Sequence, residues 1–390
     1  MRDLRWIRLV TALLLVSASC TQQTKPGRDD VAPAPQPSPS SPPPAPSASM
    51  ASGAALPSGC AERSPRPAQT VAFVAGGRAW ALDPDRDRPT CLFEVDDAGP
   101  FAWGPQGDRV LLGDLEVRGV TRDAPSLPPV GVRALASDWG HPIGLALVFS
   151  QRGDRTPSKR FIADGRVEAL GSLPGGRYVD IAYHPSGLAL AFVIDRHGDQ
   201  SIWLSTNEGT DPARLVFSEG GTRFTSIAFT PDGRHLVWTA HHAGDYPQIH
   251  SMDLADRTGF TDGWRGDQGQ EVSNLHLAPT GRLMAFDEGS GCIDRTATVV
   301  LSPTAARPAL PGSSEPTTIL GWLDPSTVLV GAGGCSGRLD VSAVAVTGEV
   351  TPLVLGADAA APRTIMTSWP ESVPAPPAQA DEEPPPEGVG

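Results

Sequence analysis

Lysine is nearly absent from this chain: Lys25 and Lys159 are the only two in 390 residues, and arginine supplies the other side-chain cations. With 31 Lys and Arg against 44 Asp and Glu the formal net charge is −13, which excludes the basic footprint a nucleic-acid partner requires. No Gly-x-Ser-x-Gly nucleophile elbow and no His-Glu-x-x-His motif occurs, so the hydrolase and zinc-protease machineries that carry those signatures are excluded. Long apolar runs are missing too. The stretch at 9–16 is too short to cross a bilayer as a helix.

What is abundant is turn chemistry, with Gly 42 and Pro 41, and much of the proline lies near the two ends. Between residues 21 and 66 large apolar side chains almost disappear while Pro33, Pro35, Pro37, Pro39, Pro42, Pro43, Pro44 and Pro46 alternate with Ala and Ser. No core can form there, and the composition predicts a disordered, polyproline-biased tether. Residues 371–390 are proline-rich and acidic, with Asp381, Glu382, Glu383 and Glu387, and are expected to be a second disordered tail. A folded domain is left over 67–370.

Ahead of the tether, Arg2, Arg5 and Arg8 precede the apolar run, and small residues Ser17-Ala18-Ser19 precede Cys20. This is the order of an export signal over residues 1–20. The segment resembles the bacterial lipoprotein lipobox, with Ser17 standing where that family usually carries Leu. The resemblance implies lipidation of Cys20 and a protein tethered to a bacterial membrane, facing the periplasm or the exterior. Plain secretion with a free Cys20 is the alternative.

Within 67–370 one phrase recurs. Residues 226–229 and 235–239 are apolar, aromatic and β-branched runs separated by Pro231-Asp232-Gly233, which supplies a fixed φ and then a position free to take positive φ. That is a hairpin, and residues 248–254 add a third strand. The same phrase returns around Pro105, Pro142, Pro185, Pro231, Pro279 and Pro325, at intervals of 37, 43, 46, 48 and 46 residues. Four short strands in roughly 40–45 residues is a propeller blade. Ahead of the first turn proline, 71–75, 78–82 and 91–95 read as three strands lacking a fourth. Residues 364–369 (Thr-Ile-Met-Thr-Ser-Trp) are expected to supply it and close the ring. The chain is therefore read as all-β, a propeller of about seven four-stranded blades, with six as the alternative because the unit at 101–135 is short.

The run at 227–238, Ile-Ala-Phe-Thr-Pro-Asp-Gly-Arg-His-Leu-Val-Trp, with the strand and Gly244-Asp245 turn that follow, resembles the TolB-type propeller repeat. In that family the propeller follows an α/β domain and works in the periplasm with a peptidoglycan-associated lipoprotein. A proline spacer takes that domain's place here, so the resemblance implies the fold and not that role.

Candidate chemistry is sparse. Besides Cys20 the chain has Cys60, Cys91, Cys292 and Cys335, an even number in an exported protein. Gly291-Cys292-Ile293-Asp294-Arg295 and Gly334-Cys335-Ser336-Gly337-Arg338 share one pattern after the second strand of adjacent blades, so both cysteines are expected at the same end of the ring. Four cysteines allow three connectivities. The pairs expected are Cys292 with Cys335 and Cys60 with Cys91. Residues 83–94 mimic an EF-hand ligand order but place Arg88 where the loop needs glycine, which favours a polar turn over calcium. His235, His241, His242 and His250 crowd one blade, and His141 and His184 precede turn prolines, yet no carboxylate or cysteine joins them at ligand spacing. No cofactor is expected. The functional expectation is a monomeric, non-catalytic, membrane-tethered propeller that binds an envelope protein or cell-wall component. Its alternative is a propeller hydrolase or lyase acting on envelope saccharide or peptide, with a site in the channel.

Overall fold

In a computed structural model, Cys60 and residues 71–364, apart from short stretches mostly between elements, are described. The chain divides into Met1–Met50, which lies outside the described residues, and Ala51–Gly390, which holds all the strands below. Blade I contains β1 (Val71–Ala75), β2 (Arg78–Leu82) and β3 (Thr90–Glu94). Blade II is β4 (Ala102–Trp103), β5 (Arg109–Leu111) and β6 (Val117–Gly119). Blade III is β7 (Ala134–Gly140), β8 (Gly144–Gln151), β9 (Asp154–Phe161) and β10 (Val167–Ala169). Blade IV follows as β11 (Arg177–Tyr183), β12 (Leu190–Arg196), β13 (Asp199–Ser205) and β14 (Arg214–Ser218). Blade V is β15 (Thr222–Phe229), β16 (His235–His242), β17 (Gln248–Asp253) and β18 (Phe260–Arg265). Blade VI is β19 (Val272–Leu277), β20 (Met284–Glu288), β21 (Thr296–Ser302) and β22 (Ala305–Pro308). Blade VII is β23 (Thr317–Asp324), β24 (Thr327–Ala332), β25 (Asp340–Ala345) and β26 (Val350–Leu353), and the last strand is β27 (Ala360–Thr364).

Each sheet is an antiparallel meander, and the seven sheets confirm seven blades over six. Six have four strands. Blade II has three among the described residues. The order β27-β1-β2-β3 shows that the ring closes by pairing the last strand with the first blade. The closing strand is not 364–369, however. Ala360–Thr364 does the pairing, with Val71 opposite Thr364, Ala72 opposite Arg363 and Val74 opposite Ala360. The apolar residues 365–369 that suggested the strand lie outside the described residues. A strand bonded on one side only tolerates Pro362 and Arg363, which a sequence reading passes over.

Blades stack through the period-two alternation of strand side chains. Val71 and Phe73 join Leu320, Leu329 and Val341 of blade VII, whereas Ala72 and Val74 face Val110 and Leu112 of blade II. Leu236 and Trp238 pack with Ile202 and Leu204 of blade IV, while Val237 and Ile249 meet Val272 and Phe286 of blade VI. The core is thus a series of layers between blades, and the largest fully buried side chains, Trp80, Trp238, Trp322, Phe73, Phe192, Phe224 and Phe286 among them, fill these layers. Each such apolar side chain contributes about 1.5–3 kcal/mol by leaving water.

Candidate functional site

Up-and-down strands sort the connections onto two faces. Turns from first to second strand, which carry the turn prolines, lie on one face; loops from second to third strand, and from one blade to the next, lie on the other. Charge collects on this second face across blades IV to VI. Arg177 at the start of β11 pairs with Asp195 at the end of β12. The Gly198 backbone N–H and Arg177 hold the Asp195 carboxyl below the usual carboxylate range. Arg196 donates to the Gly175 carbonyl at 2.7 Å and lies over the Trp203 ring. In blade V, Arg223 reaches Glu271 ahead of β19 at 2.6 Å, and His242 sits 2.8 Å from the Thr222 hydroxyl and 3.6 Å from Glu219. Among the described residues, the exposed large hydrophobics are Leu188, Leu215, Ile293 and Val350, none of them aromatic.

Beneath this face two of the groups shifted chiefly by burial, His241 and Asp287, are structural. His241 Nε2 lies 3.0 Å from the Val272 carbonyl and 3.1 Å from its nitrogen, and burial holds the imidazole pKa below its usual value. Asp287, buried, accepts from the Ile319 backbone N–H at 2.7 Å, the Thr318 hydroxyl at 2.5 Å and the Asn274 amide at 3.1 Å. Burial raises its carboxyl despite these donors and Arg295 at 3.9 Å. On the opposite face, His184 Nδ1 accepts the Ser186 backbone N–H at 3.1 Å, so its proton sits on Nε2, which donates to the Gly233 carbonyl of blade V at 2.9 Å. Burial is again the main reason its pKa is lowered.

Among the described residues, the histidines the sequence singled out do not converge. His241 and His242 end β16 on the charged face, His235 begins it on the other, and His250 is buried in a stack with Trp238 and Phe217. Among the described residues no three His, Cys, Asp or Glu side chains come together as metal ligands. Residues 83–88 and His141 lie outside the described residues. Cys60 and Cys91 form the expected disulfide, fixing the segment ahead of the propeller to β3. Cys292 is also disulfide-bonded, and Cys335, its expected partner, lies outside the described residues.

Sequence reading missed a set of latches between innermost strands. Asp180 accepts the Ile227 N–H at 3.1 Å, Ser226 that of Leu275 at 3.5 Å, and the Asn274 amide donates to the Ile319 carbonyl at 2.7 Å. Their separations, 47, 49 and 45 residues, are the blade period. A usable signal existed: each stands the same distance ahead of its turn proline, Pro185, Pro231 or Pro279.

No family model and no curated protein matches the chain. Among solved structures it is similar to the oligogalacturonate lyase of Vibrio parahaemolyticus, at 13% identity and a TM-score of 0.53, over 69% of this chain and 83% of that one. A second oligogalacturonate lyase, in complex with manganese, gives 16% identity and a TM-score of 0.51 over 69% and 82%. The shared feature is the β-propeller. At these identities the likeness to either propeller shows the fold alone. TolB from Acinetobacter baumannii is also similar, at 14% identity and a TM-score of 0.44, over 76% of this chain; the chain spans 66% of that protein.

Proposed function

We propose that this propeller is lipidated at Cys20, held to a bacterial membrane in the cell envelope by the 21–66 tether, and binds an envelope protein or cell-wall component as a monomer without catalysing a reaction. The observation that carries the reading is the use made of three of its burial-shifted groups. A catalytic acid or base needs an atom aimed at a reactant. His184, His241 and Asp287, shifted chiefly by burial, instead direct ring nitrogens and carboxylate oxygens at backbone of the neighbouring blade. They support a stiff scaffold, and stiff scaffolds carry recognition on their loops. A second reading, a lyase or hydrolase on envelope saccharide, is favoured by the two oligogalacturonate lyases among the similar folds.

Three measurements test this. Labelled palmitate should enter the wild type and not Cys20→Ala. Cross-linked envelopes should yield one reproducible protein or wall fragment attached to the full-length chain. Turnover of oligogalacturonate, with or without manganese, would replace the binding reading with the enzymatic one.

A further inference from the structure

The latch position is filled differently in blade VII. Asp180, Ser226 and Asn274, which bond from one innermost strand to the next, each stand five residues ahead of a turn proline, Pro185, Pro231 and Pro279. Five residues ahead of Pro325, on β23, the same position holds Leu320, which is 3% exposed. Its side chain has no donor or acceptor. It joins Val71, Phe73 and Trp80 of blade I in one apolar layer.

The rest of that seam follows the same rule. Between blades VI and VII, the Asn274 amide donates to the Ile319 carbonyl at 2.7 Å, Asp287 accepts the Ile319 N–H at 2.7 Å, the Thr317 hydroxyl accepts the Ala297 N–H at 2.7 Å, and the Trp322 indole N–H reaches the His276 carbonyl at 3.2 Å. Between IV and V, Gln200 accepts the Phe224 N–H at 2.6 Å beside the Asp180 and His184 bonds. Between V and VI, His241 and Ser226 bond to Val272 and Leu275. Among the described residues, no hydrogen bond crosses from blade VII to blade I. Trp80 directs its indole N–H at the Ala75 carbonyl of its own blade, at 3.0 Å, where Trp322 directs its own at a neighbour.

The apolar content of the layers does not compensate. Phe73, Leu329 and Val341 in the VII–I layer and Val299, Val328 and Val330 in the VI–VII layer are all 3% exposed or less. The polar bonds are therefore what differs. A hydrogen bond fixes direction as well as distance, so latched blades hold one position; apolar contact is non-directional, and two apolar faces can slide or part without stranding a polar group. The closing pairing does not change this, because the hydrogen bonds of β27 to β1 lie inside blade I.

We propose that the boundary between blades VII and I is the seam at which the closed ring parts in the native state, while blades IV to VII move as one latched block. Native proteins open locally where the fewest bonds must break, and this seam breaks none of the latches.

The test is native-state thiol labelling of the full-length chain, carrying Cys20→Ser so that an engineered cysteine is the reporter. Val341→Cys reports the VII–I layer and Val299→Cys the VI–VII layer; both lie on the third strand of their blade, at 3% and 1% exposure. Well below the melting temperature, a small maleimide should label Val341→Cys about tenfold or more faster than Val299→Cys. Adding Asn274→Ala should speed Val299→Cys several-fold and leave Val341→Cys within about twofold. Should either valine variant fail to fold, Ala75→Cys and Ala182→Cys, each 2% exposed, put the same question to VII–I against IV–V, and Ala75→Cys should be the faster. Equal rates at the two seams, or faster labelling at the latched one, would overturn the proposal. So would an Asn274→Ala effect of equal size at both positions, which would mean that labelling waits for global unfolding.

Discussion

Asp180 of blade IV accepts the backbone N–H of Ile227 in blade V at 3.1 Å, and Ser226, one blade further, does the same for Leu275 at 3.5 Å. The innermost strands have no ladder between them, so these side chains supply the polar bonds that apolar stacking cannot. Asp180→Ala should therefore cost about 1–3 kcal/mol, because a donor between blades loses its acceptor. Ser226→Ala should cost less than about 1 kcal/mol, its bond being long. Urea unfolding of the two variants checks the order.

Acid should weaken the protein through its buried histidines. Burial holds His184 and His241 below the ordinary 6.5. The unfolded chain therefore takes up protons that the folded one refuses as pH falls through that value, and stability rises with pH across this window. The melting temperature should drop by a few degrees between about pH 7.5 and 5.5. The double variant His184→Gln and His241→Gln should start lower and show a flatter profile. An equally steep profile would assign the loss to other groups.

Ring closure predicts unequal truncations. A chain ending at residue 359 lacks β27 and bares the edge of β1, whose five residues are all buried. It should lose at least about 3 kcal/mol and aggregate. A chain ending at residue 370 should melt within about 1 °C of the whole protein, because it keeps the strand pairing.

The disulfides can be mapped directly. Non-reducing peptide maps should show Cys60 joined to Cys91, closing a loop with sequence separation 31, and Cys292 joined to Cys335. Replacing Cys60 and Cys91 by serine should cost about 3–4 kcal/mol in the chain-entropy account. A Cys20 to Cys292 linkage would refute both the second pairing and the lipid anchor.

Blade number and strand positions were legible because turn chemistry is local: Pro231-Asp232-Gly233 declares its hairpin within a few residues, and β15 and β16 flank it. β1 and β2 coincide with the runs 71–75 and 78–82 for the same reason. The closing strand was misplaced because its evidence is not local. Ala360–Thr364 is a strand through its pairing with β1, and nothing in its own apolar content announces that. The latches failed similarly, since Asp180 looks like any strand-end carboxylate until Ile227 is brought beside it.

Asp287 offers the sharpest test of the second-strand polar network. Its carboxylate receives the Ile319 N–H, the Thr318 hydroxyl and the Asn274 amide, with Arg295 beyond, so Asp287→Ala should strand several donors between blades VI and VII and cost about 2–4 kcal/mol. Asp287→Asn keeps the shape and should cost less, although its own NH₂ group meets that of Asn274. The pH dependence separates charge from shape. Burial raises the folded carboxyl above its ordinary 3.8, so the folded chain binds the proton more readily than the unfolded one. The contribution of that proton is fully present below the unfolded value and is lost as pH rises through the folded one. The advantage of wild type over Asp287→Asn should therefore widen as pH falls from 7 toward about 4, opposite in sign to the histidine effect. Melting curves of both proteins over that range decide it, and an advantage that narrows would mean that hydrogen bonds to the ionised form, not burial, govern this carboxyl.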